Sequence, residues 1–195
     1  MNTYEIPIYE KKLSGKRSLV RSEVYIDGIL DSTKFYKGFT LEKIVYPNKK
    51  IYYYEGTYGN EYLTLIDYNI NESYYYTNKK IKKEYFEGEQ NQERLVKRIY
   101  SNNHIHFYKG DKGEEHLVQI YYPRISTNSP YNEYFEGPKN EERKTYVKRD
   151  EYIEYYEGEQ GEERLVTIKY PENLNKKRKI KHFENNVHTS TTIYH

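Results

Sequence analysis

One pattern recurs along the chain and decides what it can fold into. It runs two aromatic residues, an acid and a glycine, then Glu five residues after the glycine and an aliphatic residue seven after it. The clearest copies are Tyr85-Phe86-Glu87-Gly88 leading to Glu93-Arg94-Leu95-Val96, and Tyr155-Tyr156-Glu157-Gly158 leading to Glu163-Arg164-Leu165-Val166. Tyr53-Tyr54-Glu55-Gly56 leads to Glu61-Tyr62-Leu63, and Phe107-Tyr108-Lys109-Gly110 leads to Glu115-His116-Leu117. Tyr134-Phe135-Glu136-Gly137 with Glu142-Arg143 puts Lys144 where the aliphatic residue belongs. Weaker units are Phe35-Tyr36-Lys37-Gly38, Tyr75-Tyr76-Thr77-Asn78 and His182-Phe183-Glu184-Asn185, with Asn replacing Gly in the last two. Intervals of mostly about 20 to 27 residues match one supersecondary unit of a repeat array.

Within a unit the side chains alternate with period two. In the last clear copy this puts Val166, Ile168 and Tyr170 on one side and Leu165, Thr167 and Lys169 on the other. Strand, polar turn with glycine, strand is a β-hairpin. The glycines Gly38, Gly56, Gly88, Gly110, Gly137 and Gly158 define the repeat, supplying positive φ or a bulge, and Asn185 is the next-best residue there. Tyr46-Pro47, Tyr122-Pro123 and Tyr170-Pro171 close second strands, since proline has no N–H for a central ladder. One hairpin cannot bury enough surface alone, so neighbours must supply the core. The expected fold is all-β: about seven to nine hairpins in an elongated antiparallel meander. Residues 1–31 are expected to cap the array, residues 32–175 to form it, and residues 176–195 to hold a basic segment and a degenerate last repeat.

Composition agrees. The chain of 195 residues has 27 Tyr and no Ala, Cys or Trp, which makes poor helix and good strand material. Helical bundles and doubly wound α/β folds are excluded on that ground. Disorder is opposed by abundant aromatics and a net charge of only +2. Zero Cys removes disulfides, thiolate metal sites and cysteine nucleophiles, and favours an intracellular, reducing setting. No apolar run approaches the ~20 residues that cross a bilayer, and the N-terminus shows no signal peptide. The expectation is a protein neither secreted nor transmembrane.

The units resemble the Tyr-Glu-Gly-Glu-x-Gly-x-Glu-Arg-Leu-Val tandem repeats of proteins from giant DNA viruses. The likeness covers roughly residues 35 to 185. More distantly they resemble MORN repeats, whose units open with a Tyr-x-Gly hairpin in a long β meander. The second glycines and the Trp typical of MORN units are mostly missing. The viral resemblance implies a viral source, with the host cytoplasm or the virion as compartment, and no established reaction.

Candidate chemistry is sparse. The Glu-Gly pairs (Glu55, Glu87, Glu136, Glu157) and later glutamates (Glu61, Glu93, Glu115, Glu142, Glu163) look like paired carboxylates for acid–base work. An active site seldom recurs in every copy, so structural pairing with Arg94, Arg143, Arg164 or a nearby Lys is the better reading. His104 and His106 share a strand face without a third ligand, so no metal site is expected. Phosphate loops, nucleophile elbows and HExxH are absent; neither an enzyme nor a cofactor is expected. Lys176, Lys177, Arg178, Lys179 and Lys181 form the strongest basic run and the candidate binding residues. The leading expectation is a non-enzymatic scaffold that binds a protein partner or itself. The alternative is a binder of nucleic acid or anionic lipid through exposed Tyr and the basic run. Acidic residues interleaved with basic ones along the chain argue against the latter.

Overall fold

The computed structural model describes residues 1–11, 13–69, 80–124, 128–171 and 178–194. Among these lie sixteen strands and no helix. The chain divides into two units, Met1–Asn102 and Asn103–His195. The first holds β1 (Thr3–Lys11), β2 (Arg17–Ile26), β3 (Ile29–Lys37), β4 (Thr40–Val45), β5 (Ile51–Thr57), β6 (Asn60–Asp67), β7 (Ile81–Glu87) and β8 (Arg94–Tyr100). The second holds β9 (Ile105–Lys109), β10 (His116–Tyr122), β11 (Tyr131–Glu136), β12 (Arg143–Lys148), β13 (Ile153–Glu157), β14 (Arg164–Tyr170), β15 (Lys179–Glu184) and β16 (Val187–Ile193). In each unit the strands follow chain order as an open antiparallel meander, the expected all-β array of hairpins. The segment 1–31 contains β1, β2 and the start of β3, so the boundary drawn at residue 32 falls inside a strand. The expected unit at Tyr75–Asn78 lies outside the described residues.

Every hairpin from β3/β4 onward carries a β-bulge at one place. In most the register shifts between the two motif aromatics, as at Tyr53/Tyr54, Tyr85/Phe86, Tyr134/Phe135 and Tyr155/Tyr156. The residue after the motif's aliphatic position is the unpaired extra one. Where it is threonine, its hydroxyl donates to the carbonyl of the residue opposite: Thr64 to Tyr53 at 3.3 Å, Thr145 to Tyr134 at 3.2 Å and Thr189 to His182 at 3.1 Å. The bulge corrects the simple alternation. Tyr156 faces Leu165 and Glu154 faces Ile168, so Leu165 shares a face with Ile168 instead of opposing it.

That face, here called inner, holds most of the core. It carries Ile66 beside Glu84, and the row Ile120, Glu133, Val147, Glu154, Ile168. The second motif aromatics Tyr54, Phe86, Tyr108, Phe135 and Tyr156 lie on it as well. Among the described residues only Ile66, Ile120, Val147 and Ile180 are fully buried apolar side chains, and Val147 is the tightest at 1% exposed. Ile180 is the exception, on the outer face opposite Lys169. With no second layer in either meander, rings and long side chains of neighbouring strands do the covering. Carboxylates complete the inner face of the meanders, among them Glu84, Glu133 and Glu154. Buried Glu84 accepts from the Tyr68 hydroxyl at 2.5 Å and Arg98 Nε at 2.7 Å, and Glu133 accepts from the Tyr122 hydroxyl at 2.8 Å. Burial and the bond to a carboxylate both raise the pKa of Tyr68 and of Tyr122 well above the ordinary phenol range.

Candidate interaction surfaces

Strands within a hairpin pair over most of their length, whereas consecutive hairpins pair over much less. β5 and β6 share seven residue pairs; β6 and β7 share three. The turn-side half of each junction is left with strand N–H groups that no facing strand can answer. The motif glutamate answers them. Glu61 Oε1 accepts from the Leu41 N–H of the preceding hairpin at 3.1 Å, Glu93 from Leu63 at 3.3 Å, Glu142 from Leu117 at 3.0 Å and Glu163 from Lys144 at 3.0 Å. The other oxygen closes its own turn: Glu61 Oε2 accepts from Gly59 N–H at 3.0 Å and Glu115 Oε2 from Gly113 N–H at 3.0 Å. In the last hairpin Asn186 replaces the glutamate, and its Oδ1 accepts from Leu165 N–H at 3.0 Å.

These carboxylates were expected to face arginine or lysine. Three of the four glutamates that precede the glycines do so: Glu87 meets Arg94 at 3.6 Å, and Glu136 and Glu157 oppose Arg143 and Arg164, whereas Glu55 opposes Tyr62. The later glutamates instead bind backbone, and only their fixed distance from the glycine hinted at it. Motif arginines also reach forward, Arg143 to the Gly158 carbonyl at 3.3 Å and Arg164 to the Asn185 side chain at 3.1 Å. Burial alone would raise the pKa of Glu163, but the N–H groups of Lys144, Glu163 itself and Gly161 overcome that and hold it below its ordinary value of 4.5. A carboxyl with a lowered native pKa stabilises the fold above its unfolded pKa, and the contribution is lost as pH falls through the native one. Glu163→Ala is therefore expected to cost about 1 kcal/mol at neutral pH. The difference from the parent should shrink on acidification below about pH 4.5. Chemical denaturation of both proteins across that range checks it; a pH-independent difference would refute the staple's ionic character.

The repeat-defining glycines split into two kinds. Gly56, Gly88, Gly110, Gly137 and Gly158 have φ between 112° and 123°, and a Cβ there would sit 2.4 to 2.7 Å from the carbonyl oxygen four residues on. Gly38 has φ of 72° with nothing within 4 Å of such a Cβ. Asn185 and Asn186, at φ 49° and 65°, make a two-residue turn of the left-handed kind.

Of the basic run, Lys176 and Lys177 lie outside the described residues. Arg178 stands over the Tyr194 ring at 4.8 Å, and Lys179 and Lys181 over Tyr170 at 5.5 and 5.7 Å. They extend a band of rings and cations along the Tyr-Pro margin of the second unit. Tyr122 and Tyr131 stack at 4.4 Å, His104 meets the edge of Tyr122 at 4.5 Å, and Arg149 covers Tyr131 at 4.5 Å. Tyr152 packs on Tyr170 at 5.4 Å. Asn128, Ser129, Pro130, Tyr131 and Arg149 line an open depression of about 390 Å³ beside this band. Tyr156, pushed up to about 12 chiefly by burial and then by Glu154, stays protonated at any physiological pH. On the outer face Tyr134 stacks on Tyr146 at 4.2 Å, Tyr146 approaches Tyr155 at 6.0 Å, and Lys169 covers Tyr155 at 4.4 Å.

His104 is taken up by its ring contact, and His106 pairs with Ile120 in the β9/β10 ladder. Among the described residues no three His, Cys, Asp or Glu side chains gather closely enough to hold a metal, and no helix is long and apolar enough to cross a membrane. Compared with known proteins, the chain matches no family model and no curated protein.

Proposed function

We propose that the protein is a non-enzymatic, virally encoded scaffold of MORN-like hairpins that docks a protein partner or a second copy along its aromatic rows. One observation carries the reading: of the two recurrent sets of carboxylates, the later glutamates accept backbone N–H groups and most of those before the glycines oppose arginines, so both serve the hairpin frame. That is architectural work, and it leaves tyrosine and lysine as what the array offers outward. Tyrosine is a low-entropy anchor for protein contacts. The outer-face stack of Tyr134, Tyr146 and Tyr155 is the strongest such row in the second unit.

The test pairs sedimentation velocity with quantitative affinity capture for the parent and for Tyr134→Ser/Tyr146→Ser/Tyr155→Ser. The expected result is a discrete assembly, with itself or with one captured protein, that the variant loses. A parent that stays monomeric and retains the same proteins as its variant would overturn the proposal. A second reading, binding of nucleic acid or anionic lipid through the C-terminal run, draws on Lys179 and Lys181 flanking the Tyr170 ring. It requires steep salt dependence and loss of binding when Lys176 to Lys181 are neutralised.

A further inference from the structure

Charges that alternate along the chain are sorted by the strand register. On the outer face of Met1–Asn102, Arg21 pairs with Phe35, Phe35 with Lys43, Lys43 with Tyr53, Tyr53 with Leu65, Leu65 with Tyr85 and Tyr85 with Lys97. Seven adjacent strands thus contribute one row of cation, ring, cation, ring, leucine, ring, cation. It contains no acid. At about 4.8 Å between strands it spans about 29 Å.

Several nearby acids are occupied, while Glu42, the extra residue of the β3/β4 bulge beside Lys43, lies exposed at the row's flank. In the next row Glu23 accepts from the Tyr25 hydroxyl at 2.9 Å and lies 3.7 Å from Arg21, while Asp67 meets Lys83 at 3.0 Å. Towards the turns Glu87 pairs with Arg94, which leaves Glu55 at the row's edge. Lys43 and Lys97 are in no ion pair among the described residues; they rest over the Phe35 and Tyr85 rings at 4.9 and 3.9 Å.

We propose that this row binds a single strand of nucleic acid laid across the β-strands. Phosphates recruit Lys43, Lys97 and Arg21, and the lysines that swing to them uncover ring faces on which bases stack. An acidic peptide would use the cations and leave three evenly spaced rings idle, whereas a duplex hides its base faces. With the row's cations drawn to phosphates and no Asn, Gln, Asp or Glu among its members to read base edges, recognition rests on charge and stacking and is sequence-tolerant. This goes beyond the scaffold reading and uses a surface in the other unit from the C-terminal run.

The test is fluorescence anisotropy of labelled oligothymidylate and oligouridylate of about 12 nucleotides, titrated with the full chain from about 50 mM salt upward. Three phosphate contacts predict a log–log salt slope of about −2. Lys43→Gln/Lys97→Gln should weaken binding about tenfold and reduce the slope to about −0.7. Tyr53→Leu/Tyr85→Leu, which keeps strand-forming bulk, should weaken binding about tenfold with the slope unchanged. Lys179→Gln/Lys181→Gln should match the parent. Thermal melts confirm that each variant folds. The proposal fails if binding does not saturate, if it depends on Lys179 and Lys181 but ignores Lys43 and Lys97, or if polyglutamate displaces the probe as well as unlabelled oligonucleotide does.

Discussion

A chain with Phe86, Phe135 and Tyr156 all replaced by alanine is expected to lose cooperative thermal unfolding. The three rings lie on the inner face, opposite Leu95, Lys144 and Leu165 respectively. Phe86 shares the inner face of its unit with Ile66, and Phe135 and Tyr156 share that of theirs with Ile120 and Val147, where fully buried aliphatic side chains are few. Lys144 also lies over the Tyr156 ring at 4.2 Å, tying β12 to β13. Each half-buried ring contributes about 2 kcal/mol through burial. The loss is thus about 2 kcal/mol in the first unit and about 4 kcal/mol in the second, a large part of the stability of a domain. Circular dichroism should show a broad, shallow melt in place of a sigmoid. The first motif aromatics provide the control: Tyr53, Tyr134 and Tyr155 face outward, and their triple alanine variant should still melt cooperatively. If the inner-face variant melts sharply near the parent temperature, the rings are not the shared core.

Gly88→Ala should be strongly damaging, as should the same change at the other crowded turn glycines. At φ 119° an L-residue is strained by about 1–3 kcal/mol. The added methyl would stand 2.6 Å from the Gln92 carbonyl oxygen, a backbone atom that the turn holds in place. Together these are expected to cost about 3 kcal/mol or more. Gly59→Ala separates the two causes. Gly59 has φ of 81° but open space around it, so only the left-handed penalty of about 1–2 kcal/mol applies. Denaturant titration of the two variants measures the difference directly. Equal losses would show that the close approach of the two turn backbones is not what demands glycine.

The contrast marks how far local pattern reaches. Strand positions, hairpin turns and the role of proline follow from period-two alternation and turn chemistry, which act within a few residues and so are written locally. Gly38 follows a pair of aromatics as Gly88 does, with Lys37 in place of the acid, yet sits in a two-residue turn without the crowding; the difference in crowding lies in turn length. The bulge was hidden because one extra residue moves Leu165 to the other face without altering composition. The staple was hidden because the partner of Glu163 is a backbone N–H, and every residue but proline has one. The outer row from Arg21 to Lys97 was hidden more deeply. Its members are at least eight residues apart in sequence, and only the register of six strand pairings aligns them.

The side chain that closes these junctions, glutamate in four and Asn186 in the last, belongs to the later hairpin, while the N–H it serves belongs to the earlier one. The array thus has a grammar with a direction. A duplicated unit inserted at any junction arrives with the acid its predecessor needs and with an open N–H for its successor. Length can change by whole hairpins with no second mutation, whereas a deletion ending inside a unit orphans a donor. During synthesis the same asymmetry makes each emerging hairpin complete the one already released, so growth from the N-terminus leaves at most one junction unsealed at a time.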